Sequence, residues 1–210
     1  MEFIVITGPT FSNAAKKIKK AVKILDGIEL RLDLFQNISK EEIIEIRDIC
    51  KEADKKVIFT LRSSRSGGGY RRSLLSLENE IEKLSLIGPD YFDVEWDLSD
   101  DLFNSLGHVK VIASHHDFEK TPPSLDRILG KMMMKKAYAY KLCTTSRALS
   151  DSYRMLNFIQ KQKNAGLNFI GLCMGEKGKI TREDGLKVGN YLNYKIIHIG
   201  DKVAAGLDFA

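Results

Sequence analysis

The stretch Gly27-Ile28-Glu29-Leu30-Arg31-Leu32-Asp33-Leu34-Phe35 decides the fold class of this chain. Successive side chains of a strand point to opposite faces, so Glu29, Arg31 and Asp33 are predicted to share one face. In a sheet closed into a barrel, the leucines would pack under helices and the three charges would face the interior. Buried charges must pair with one another or with a ligand, so the alternatives are a salt-bridge network and a binding site.

The rest of the chain alternates between strand and helix patterns. The predicted strands are Glu2–Gly8, Gly27–Phe35, Lys56–Ser63, Tyr91–Asp97, Val109–His116, Ala137–Thr144, Leu167–Met174 and Tyr194–Ile199. The predicted helices are Ser12–Leu25, Lys40–Ala53, Leu74–Ile87, Asp100–Leu106, Ser124–Met134, Ser146–Asn164 and Arg182–Leu192. Ser39 before Lys40-Glu41-Glu42 predicts a capping box at the second helix.

Eight strands alternating with helices predict an α/β protein with a compact (β/α)8 TIM barrel, forming a single catalytic domain over residues 1–210. The competing fold is an open doubly wound sheet, which usually carries a glycine-rich turn after its first strand. The turn Thr7-Gly8-Pro9-Thr10 is not such a fingerprint. The short remainder after the eighth strand predicts that the last helix is missing or truncated. We expect a partner subunit, a downstream domain or a rearranged terminus to cover that flank.

Composition excludes several classes of protein. The 210 residues are 43% hydrophobic, which excludes a disordered chain, and no apolar run approaches the length that spans a bilayer. The beginning reads as a strand and not as a signal peptide. Cys50, Cys143 and Cys173 fit neither a disulfide framework nor a zinc motif, so a cytoplasmic location is expected.

The net charge of +5 raises the question of a nucleic-acid partner. Much of the excess lies in the first helix, at Lys16, Lys17, Lys19, Lys20 and Lys23. Apolar residues spaced three or four apart between them indicate one buried face and one solvated, lysine-rich face. No aromatic residue is interleaved there to stack on bases, so neither a nucleic acid nor a membrane is expected as a partner.

Polar residues at the ends of the strands are the candidates for chemistry, because TIM-barrel active sites lie there. Arg62 ends the third strand before the loop containing Gly67-Gly68-Gly69, and the fourth carries Asp93, Glu95 and Asp97 in alternation. In the fifth strand His115 and His116 point to opposite faces, so at most one faces the interior. A metal site would need further ligands, and the spacing implies none.

Lys141 lies within the apolar sixth strand, Ala137–Thr144. Desolvation and nearby cations are expected to lower the pKa of such a lysine and make it a neutral amine nucleophile. Alternatively, its side chain extends to the rim of the barrel. Arg182 begins the seventh helix, where a guanidinium can bind a carboxylate in bidentate fashion.

Five motifs, each at a strand end, carry a resemblance. They are Glu29-Leu30-Arg31-Leu32-Asp33, Thr60-Leu61-Arg62, Ser114-His115-His116-Asp117-Phe118, Tyr140-Lys141, and Met174-Gly175 with Arg182. Together they resemble the type I 3-dehydroquinate dehydratases, Schiff-base lyases of the shikimate pathway in aromatic amino-acid biosynthesis. In some relatives this domain is fused to a shikimate dehydrogenase, and a homodimer or a fused downstream domain is an expected partner.

The resemblance implies a role for each matching position. Lys141 matches the lysine that forms the imine with the substrate ketone, and His116 matches the proton-transferring histidine. Substrate-binding positions match Glu29, Arg31, Arg62 and Arg182, while Met174 and Tyr194 match pocket-lining ones and Thr7 stands where the family often has a serine. The implied reaction converts 3-dehydroquinate to 3-dehydroshikimate with no metal and no cofactor.

Two departures from the family pattern keep alternatives open. Ser66 stands where the family has a glutamate that orients the catalytic histidine, and Ala204–Asp208 replaces a loop whose serine and glutamine close over the substrate. One alternative is therefore a degenerate barrel that binds a cyclic hydroxy-acid with little or no turnover. The other is a Schiff-base aldolase, which also uses a barrel lysine.

Overall fold

Eight parallel strands form a nearly closed barrel in the computed structural model, which describes residues 1–8, 10–21 and 23–195. The strands are β1 Glu2–Ile6, β2 Gly27–Arg31, β3 Lys56–Thr60, β4 Tyr91–Glu95, β5 Lys110–His116, β6 Ala139–Thr145, β7 Phe169–Met174 and β8 Asn193–Lys195. Their hydrogen-bonded order is β7-β6-β5-β4-β3-β2-β1-β8, with every pair parallel. The predicted TIM barrel is confirmed.

Helices alternate with these strands as predicted. They are α1 Phe11–Ala21, α2 Lys40–Glu52, α3 Leu74–Ser85, α4 Asp100–Ser105, α5 Leu125–Met132, α6 Leu149–Asn164 and α7 Lys179–Val188. The predicted capping box is present: the Glu42 amide donates to Ser39 Oγ, and the Ser39 amide donates to the Glu42 carboxylate. In the described part of the chain, no helix has the length and apolar character needed to cross a membrane.

The structure corrects the predicted end of the second strand. β2 stops at Arg31, and Leu32–Leu34 form a 3₁₀ turn. Asp33 therefore does not continue the alternation of Glu29 and Arg31, and the predicted common face of the three charges is wrong for Asp33. The predicted strand Tyr194–Ile199 is described only to Lys195. Residues 196–210, including Ala204–Asp208 and the predicted missing helix, lie outside the described residues.

The barrel interior is built in layers, because residues two apart in a strand face the same side. The lowest layer includes Ile58, Tyr91, Ile112 and Ala139, all buried. Two residues further along the same strands come Thr60, Asp93, Ser114 and Lys141, also buried. The interior thus changes from apolar to charged toward the carboxyl ends of the strands.

Aromatic rings fill the amino-terminal end of the barrel. The Tyr91 ring packs edge-on against Phe3, with ring centroids 6.5 Å apart. Its hydroxyl lies 2.9 Å from the Tyr191 hydroxyl, which in turn lies 3.3 Å from that of Tyr138. These side chains form a floor beneath the charged layer.

Candidate active site

Lys141 lies inside the barrel, where β6 passes between β5 and β7. Its Nζ atom is 2.8 Å from Asp93 Oδ2 on β4 and 3.8 Å from Glu29 Oε1 on β2. It also donates to the Tyr194 hydroxyl at 3.0 Å. Since the side chain is 5% exposed, it does not reach the rim, which was the alternative left open by the sequence. A buried ammonium needs compensating charge, and two carboxylates supply it here.

The charge state of Lys141 differs from the prediction. Burial by itself disfavours the ammonium, but the attraction of Asp93 and Glu29 outweighs it, and the pKa of Lys141 lies well above its ordinary value. The prediction of a lowered pKa is therefore wrong for the free protein. It assumed cations next to the amine, whereas the charged groups nearest to it are the carboxylates of Asp93 and Glu29.

Asp93 connects two cations across the barrel. Its Oδ2 accepts from Lys141, while its Oδ1 accepts from Arg62 Nη2 at 2.8 Å and from the Ser114 hydroxyl at 2.6 Å. Burial alone would favour the neutral acid, but Lys141 and Arg62 hold the pKa of Asp93 well below its usual range. Asp93 is thus a buried carboxylate anion that holds Lys141 and Arg62 in position.

His116 borders the same charged cluster. Its Nδ1 atom lies 2.7 Å from Arg62 Nη1, and its ring stacks on Phe118 with centroids 6.0 Å apart. Burial and the positive charges of Arg62 and Lys141 keep the pKa of His116 well below its ordinary value. The neighbouring His115 faces away, as predicted, and its Nδ1 accepts from the Trp96 indole at 3.0 Å.

Glu29 and Arg31 form the β2 side of the site. Glu29 Oε1 accepts from the Thr60 hydroxyl at 2.6 Å. Arg31 is held by a bidentate pair with Asp33, through Nε to Oδ1 at 2.9 Å and Nη2 to Oδ2 at 2.8 Å. The amide of Gly69 also donates to Asp33 Oδ2, so the glycine-rich loop is tied to this pair. Asp33 therefore positions Arg31 from outside the cavity.

These side chains line one cavity, whose volume is about 50 Å³. Its described wall consists of Val5, Glu29, Arg31, Arg62, His116, Lys141, Cys143, Leu172, Met174 and Tyr194. Seven of the nine predicted site residues thus line one cavity. Among the described residues, no group of three or more histidine, cysteine, aspartate or glutamate side chains is placed to hold a metal ion.

The two remaining predicted residues lie elsewhere. Arg182, on α7, donates from Nη1 to the carbonyl of Cys173 at 2.7 Å, and burial lowers its pKa. The Thr7 carbonyl accepts from Lys17 Nζ at 3.3 Å. Neither residue belongs to the described cavity wall, so their assignment to substrate binding stays a prediction.

The serine found in place of the family glutamate contacts another carboxylate. Ser66 Oγ donates to Glu95 Oε2 at 2.8 Å, and the Ser63 amide and hydroxyl donate to the same carboxylate at 2.7 and 2.9 Å. Arg65 Nη2 lies 3.3 Å from it. The carboxylate of Glu95 thus anchors the loop after β3, whereas Arg62 is the group that contacts His116.

Comparison with known proteins agrees with this geometry. The model of the type I 3-dehydroquinase family matches residues 2–207. The chain belongs to the type I 3-dehydroquinase family. It is similar to the 3-dehydroquinate dehydratase of Methanococcus vannielii, with 31% identity over 91% of this chain and 87% of the relative.

Solved and fused relatives extend the comparison. The type I 3-dehydroquinate dehydratase of Clostridium difficile, crystallised with covalently modified comenic acid, has a TM-score of 0.81 and 26% identity, covering 92% of this chain and 82% of that one. The bifunctional dehydratase/shikimate dehydrogenase of Arabidopsis thaliana is 31% identical over 80% of this chain and 28% of that protein. As a family member, this barrel is a lyase of the shikimate pathway that dehydrates 3-dehydroquinate to 3-dehydroshikimate.

The sequence analysis gave no role to Asp93, nor to the cavity-wall residues Val5, Cys143 and Leu172. Asp93 was visible as part of an alternating acidic set, but nothing in the sequence showed that it reaches Lys141, 48 residues away. Cys143 follows Lys141 by two positions, so the strand period alone predicts the same side. The sequence does contain a signal for Asp93: like Lys141, it is a polar residue two positions after a buried apolar residue of its own strand.

Proposed function

We propose that Lys141 is the amine that forms the Schiff base with the substrate ketone, with His116 as the proton-transferring residue. The observation that supports this is the placement of Lys141 Nζ on the wall of a cavity that His116 also lines. Lysine amines form imines with carbonyl substrates, and an iminium withdraws electrons from the neighbouring carbon. An aldolase would use a similar amine, but the surrounding Arg31, Arg62 and Glu29 suit a substrate with several hydroxyls and a carboxylate.

The reaction begins with loss of a proton from the Lys141 ammonium, since only the neutral amine is a nucleophile. Asp93 Oδ2, at 2.8 Å, is the adjacent base for that proton, while the Tyr194 hydroxyl, at 3.0 Å, accepts a hydrogen bond from the same amine. The amine adds to carbon 3, and the carbinolamine loses water to give the iminium. His116 then takes a proton from carbon 2 and delivers it to the hydroxyl of carbon 1, which departs as water.

Hydrolysis of the imine completes the cycle: water adds to carbon 3 and Lys141 regains its amine. The net change is loss of one water from the substrate, with no oxidation and no cofactor. Arg31 and Arg62 would orient hydroxyls, while Glu29 would accept a hydrogen bond from one of them. For Arg182 to bind the substrate carboxylate, its guanidinium must give up its hydrogen bond to the Cys173 carbonyl and donate to the carboxylate instead.

Reductive trapping tests the role of Lys141. Borohydride added with dehydroquinate should fix a substrate-sized adduct on the peptide containing Lys141, detected by mass spectrometry. Lys141→Met should abolish both adduct and turnover, whereas Lys161→Ala, at an exposed surface pair with Asp126, should retain both. An adduct on another lysine, or normal turnover without Lys141, would refute the assignment.

His116→Ala separates imine formation from proton transfer. Because Lys141 and Asp93 remain, the imine should still form, but the proton transfer that follows it should be slow. The fraction of enzyme trapped as the imine at steady state should therefore rise, while turnover falls by about 100-fold or more. His115→Ala is the matched control, since His115 contacts Trp96 outside the cavity. Equal effects of the two variants on turnover would remove His116 from this role.

Domain, location and partners complete the proposal. We infer that the chain acts as one catalytic barrel over residues 1–210 in the cytoplasm, and that it associates with a second copy or a fused domain. The three buried free cysteines fit a reducing compartment, and the Arabidopsis relative carries such a fusion. Light scattering of the purified chain distinguishes a monomer, which would contradict the self-association, from a dimer.

A further inference from the structure

The contact between Arg62 and His116 determines where the proton of the imidazole lies. A guanidinium has five N–H donors and no acceptor. His116 Nδ1, 2.7 Å from Arg62 Nη1, must therefore be the acceptor of that hydrogen bond. In the neutral ring, the single N–H then resides on Nε2.

Arg62 is held firmly in this position. It is 4% exposed, and its Nη2 donates to Asp93, which is itself bound to Lys141. Its Nη1 also lies 3.3 Å from the Ser114 hydroxyl. A chain of contacts thus runs from Lys141 through Asp93 and Arg62 to His116, with no exposed member.

A carboxylate at Nδ1 would have the opposite effect, because it accepts a hydrogen and leaves Nε2 as the base. The carboxylate that contacts the loop after β3 is that of Glu95, at the end of β4. It accepts hydrogen bonds from Ser63 and Ser66 of that loop. Among the described residues, the polar side chain in contact with the His116 ring is Arg62. The ring is therefore oriented by a cation.

We propose that Arg62 is a positioning residue that fixes His116 as the Nε2–H tautomer in the free enzyme. Under the function proposed above, Nε2 cannot take the proton of carbon 2 until this tautomer exchanges. The exchange adds one proton at Nδ1 and removes one from Nε2, with no net change in charge. It requires the Arg62 contact to break, so substrate binding to Arg62 and readiness of His116 as a base are linked.

The charged groups around His116 oppose an imidazolium as a route for this exchange. Arg62 on the β3 side, Lys141 on β6 and Arg31 on β2 all disfavour a positive ring, whereas Asp93 on β4 favours it. Removing Arg62 takes away the nearest of these cations. It also leaves Nδ1 open to a proton.

Nitrogen NMR of the full chain labelled with ¹⁵N-histidine tests the tautomer directly, without substrate. His116 should show a pyridine-like shift at Nδ1 and a pyrrole-like shift at Nε2. His115 is the internal standard for the same tautomer, because its Nδ1 accepts from the donor-only Trp96 indole. The four histidines are assigned with single histidine-to-glutamine variants. A pyrrole-like Nδ1 in neutral His116 would overturn the proposal.

Variants then test the cause. Arg62→Met should raise the pKa of His116 and reduce or abolish its Nε2–H preference, while Arg62→Lys, which keeps a cationic donor, should retain the preference. Trp96→Phe should alter His115 alone. An unchanged His116 tautomer in folded Arg62→Met would refute the role of Arg62. If that variant does not fold, the spectrum of the unaltered protein still decides the tautomer.

Failure of this inference and failure of the proposed function give different results. The NMR measurement concerns the free protein and needs no turnover. A trapped adduct on Lys141 together with an Nδ1–H tautomer would keep the Schiff-base assignment and reject the Arg62 role. An Nε2–H tautomer with no adduct would do the reverse.

Discussion

At the scale of single residues, the site is a set of buried charges that balance one another. Lys141 and Arg62 are cations, Asp93 is the anion between them, and Glu29 lies 3.8 Å from the lysine. Each is less than a tenth exposed. Removing one member would leave its partner charged and desolvated. Each of these site residues therefore also contributes to the stability of the fold.

Replacing Asp93 by asparagine tests this coupling. The change leaves Lys141 and Arg62 without their shared anion, so the free energy of unfolding should fall by about 3 to 5 kcal/mol. Asp97→Asn is the control, because Asp97 is 42% exposed in its pair with Arg65 and should cost less than about 1 kcal/mol. Urea unfolding measures both. Similar losses for the two variants would show that Asp93 does not carry the buried network.

The raised pKa of Lys141 has a consequence for pH dependence. Below that pKa the neutral amine increases on the order of tenfold per pH unit, so the initial rate of reductive trapping should rise steeply from about pH 6 to about pH 9. The stability that the ammonium gains from Asp93 and Glu29 is fully present below about pH 10.4 and is lost as pH rises through the folded pKa.

A second variant checks that the pH profile belongs to Lys141. In Asp93→Asn the opposing carboxylate is removed, so the pKa of Lys141 should fall and the rise in trapping rate should begin at lower pH. If the trapping rate rises over the same pH range in the unaltered protein and in Asp93→Asn, the rise belongs to the titration of a group other than Lys141.

At the scale of elements, strand period explains which residues meet, and the loops explain how they are held. The two-residue spacing of Thr60 with Arg62 and of Ser114 with His116 brings all four to the interior. The strand pattern predicted that at most one of His115 and His116 would do so, and the family resemblance implied that it is His116. The loop after β3 is then fixed from three sides, through Glu95, Asp33 and Phe118. This loop holds the ring that stacks on His116.

Gly67→Ala should disturb that loop. Gly67 has φ +77°, and an added Cβ would lie 2.3 Å from the Phe118 ring. We expect a loss of about 1 to 3 kcal/mol in unfolding free energy and a fall in turnover, because Phe118 stacks on His116.

The matched control for this loop is Gly130→Ala in α5. An added Cβ there meets nothing within 4 Å, and alanine favours the helix by about 0.5 to 1 kcal/mol. Thermal unfolding and steady-state rates of both variants suffice. A Gly67→Ala protein as stable and active as Gly130→Ala would mean that the loop adapts freely.

At the scale of the whole molecule, most of the architecture was predictable from sequence. Eight strand patterns separated by amphipathic segments indicate a barrel, since period and turn residues are local properties. The bond between Asp93 and Lys141 was not predictable, because it depends on register across three strands. The direction of the Lys141 pKa shift failed for the same reason: it depends on which charges surround the amine.

The closure between β7 and β8 is made partly by a side chain. The Asn190 amide group donates to the Gly171 carbonyl at 2.9 Å and accepts from the Gly171 amide at 2.7 Å. It supplies the donor and acceptor that a neighbouring strand would supply. The Tyr191 amide adds a bond to the Phe169 carbonyl at 2.8 Å.

Asn190→Ala should therefore weaken the closure of the barrel between β7 and β8. Two buried backbone groups lose their partners, at a cost of about 1 to 3 kcal/mol each. Asn168→Ala is the control, since Asn168 makes a single exposed bond to the Tyr138 carbonyl. Hydrogen exchange should show faster exchange of the Gly171 amide in Asn190→Ala. An unchanged exchange rate of the Gly171 amide would refute the role of Asn190 in this closure.

Within the described ranges, the aromatic floor formed with Tyr91, Tyr138 and Tyr191 closes the amino-terminal end of the reaction chamber. Substrate must enter, and the enone and water must leave, through the same mouth at the carboxyl ends of the strands. Two molecules cannot pass each other in such a chamber. Each turnover must therefore empty the barrel before the next substrate docks, so product that lingers acts as a competitive inhibitor.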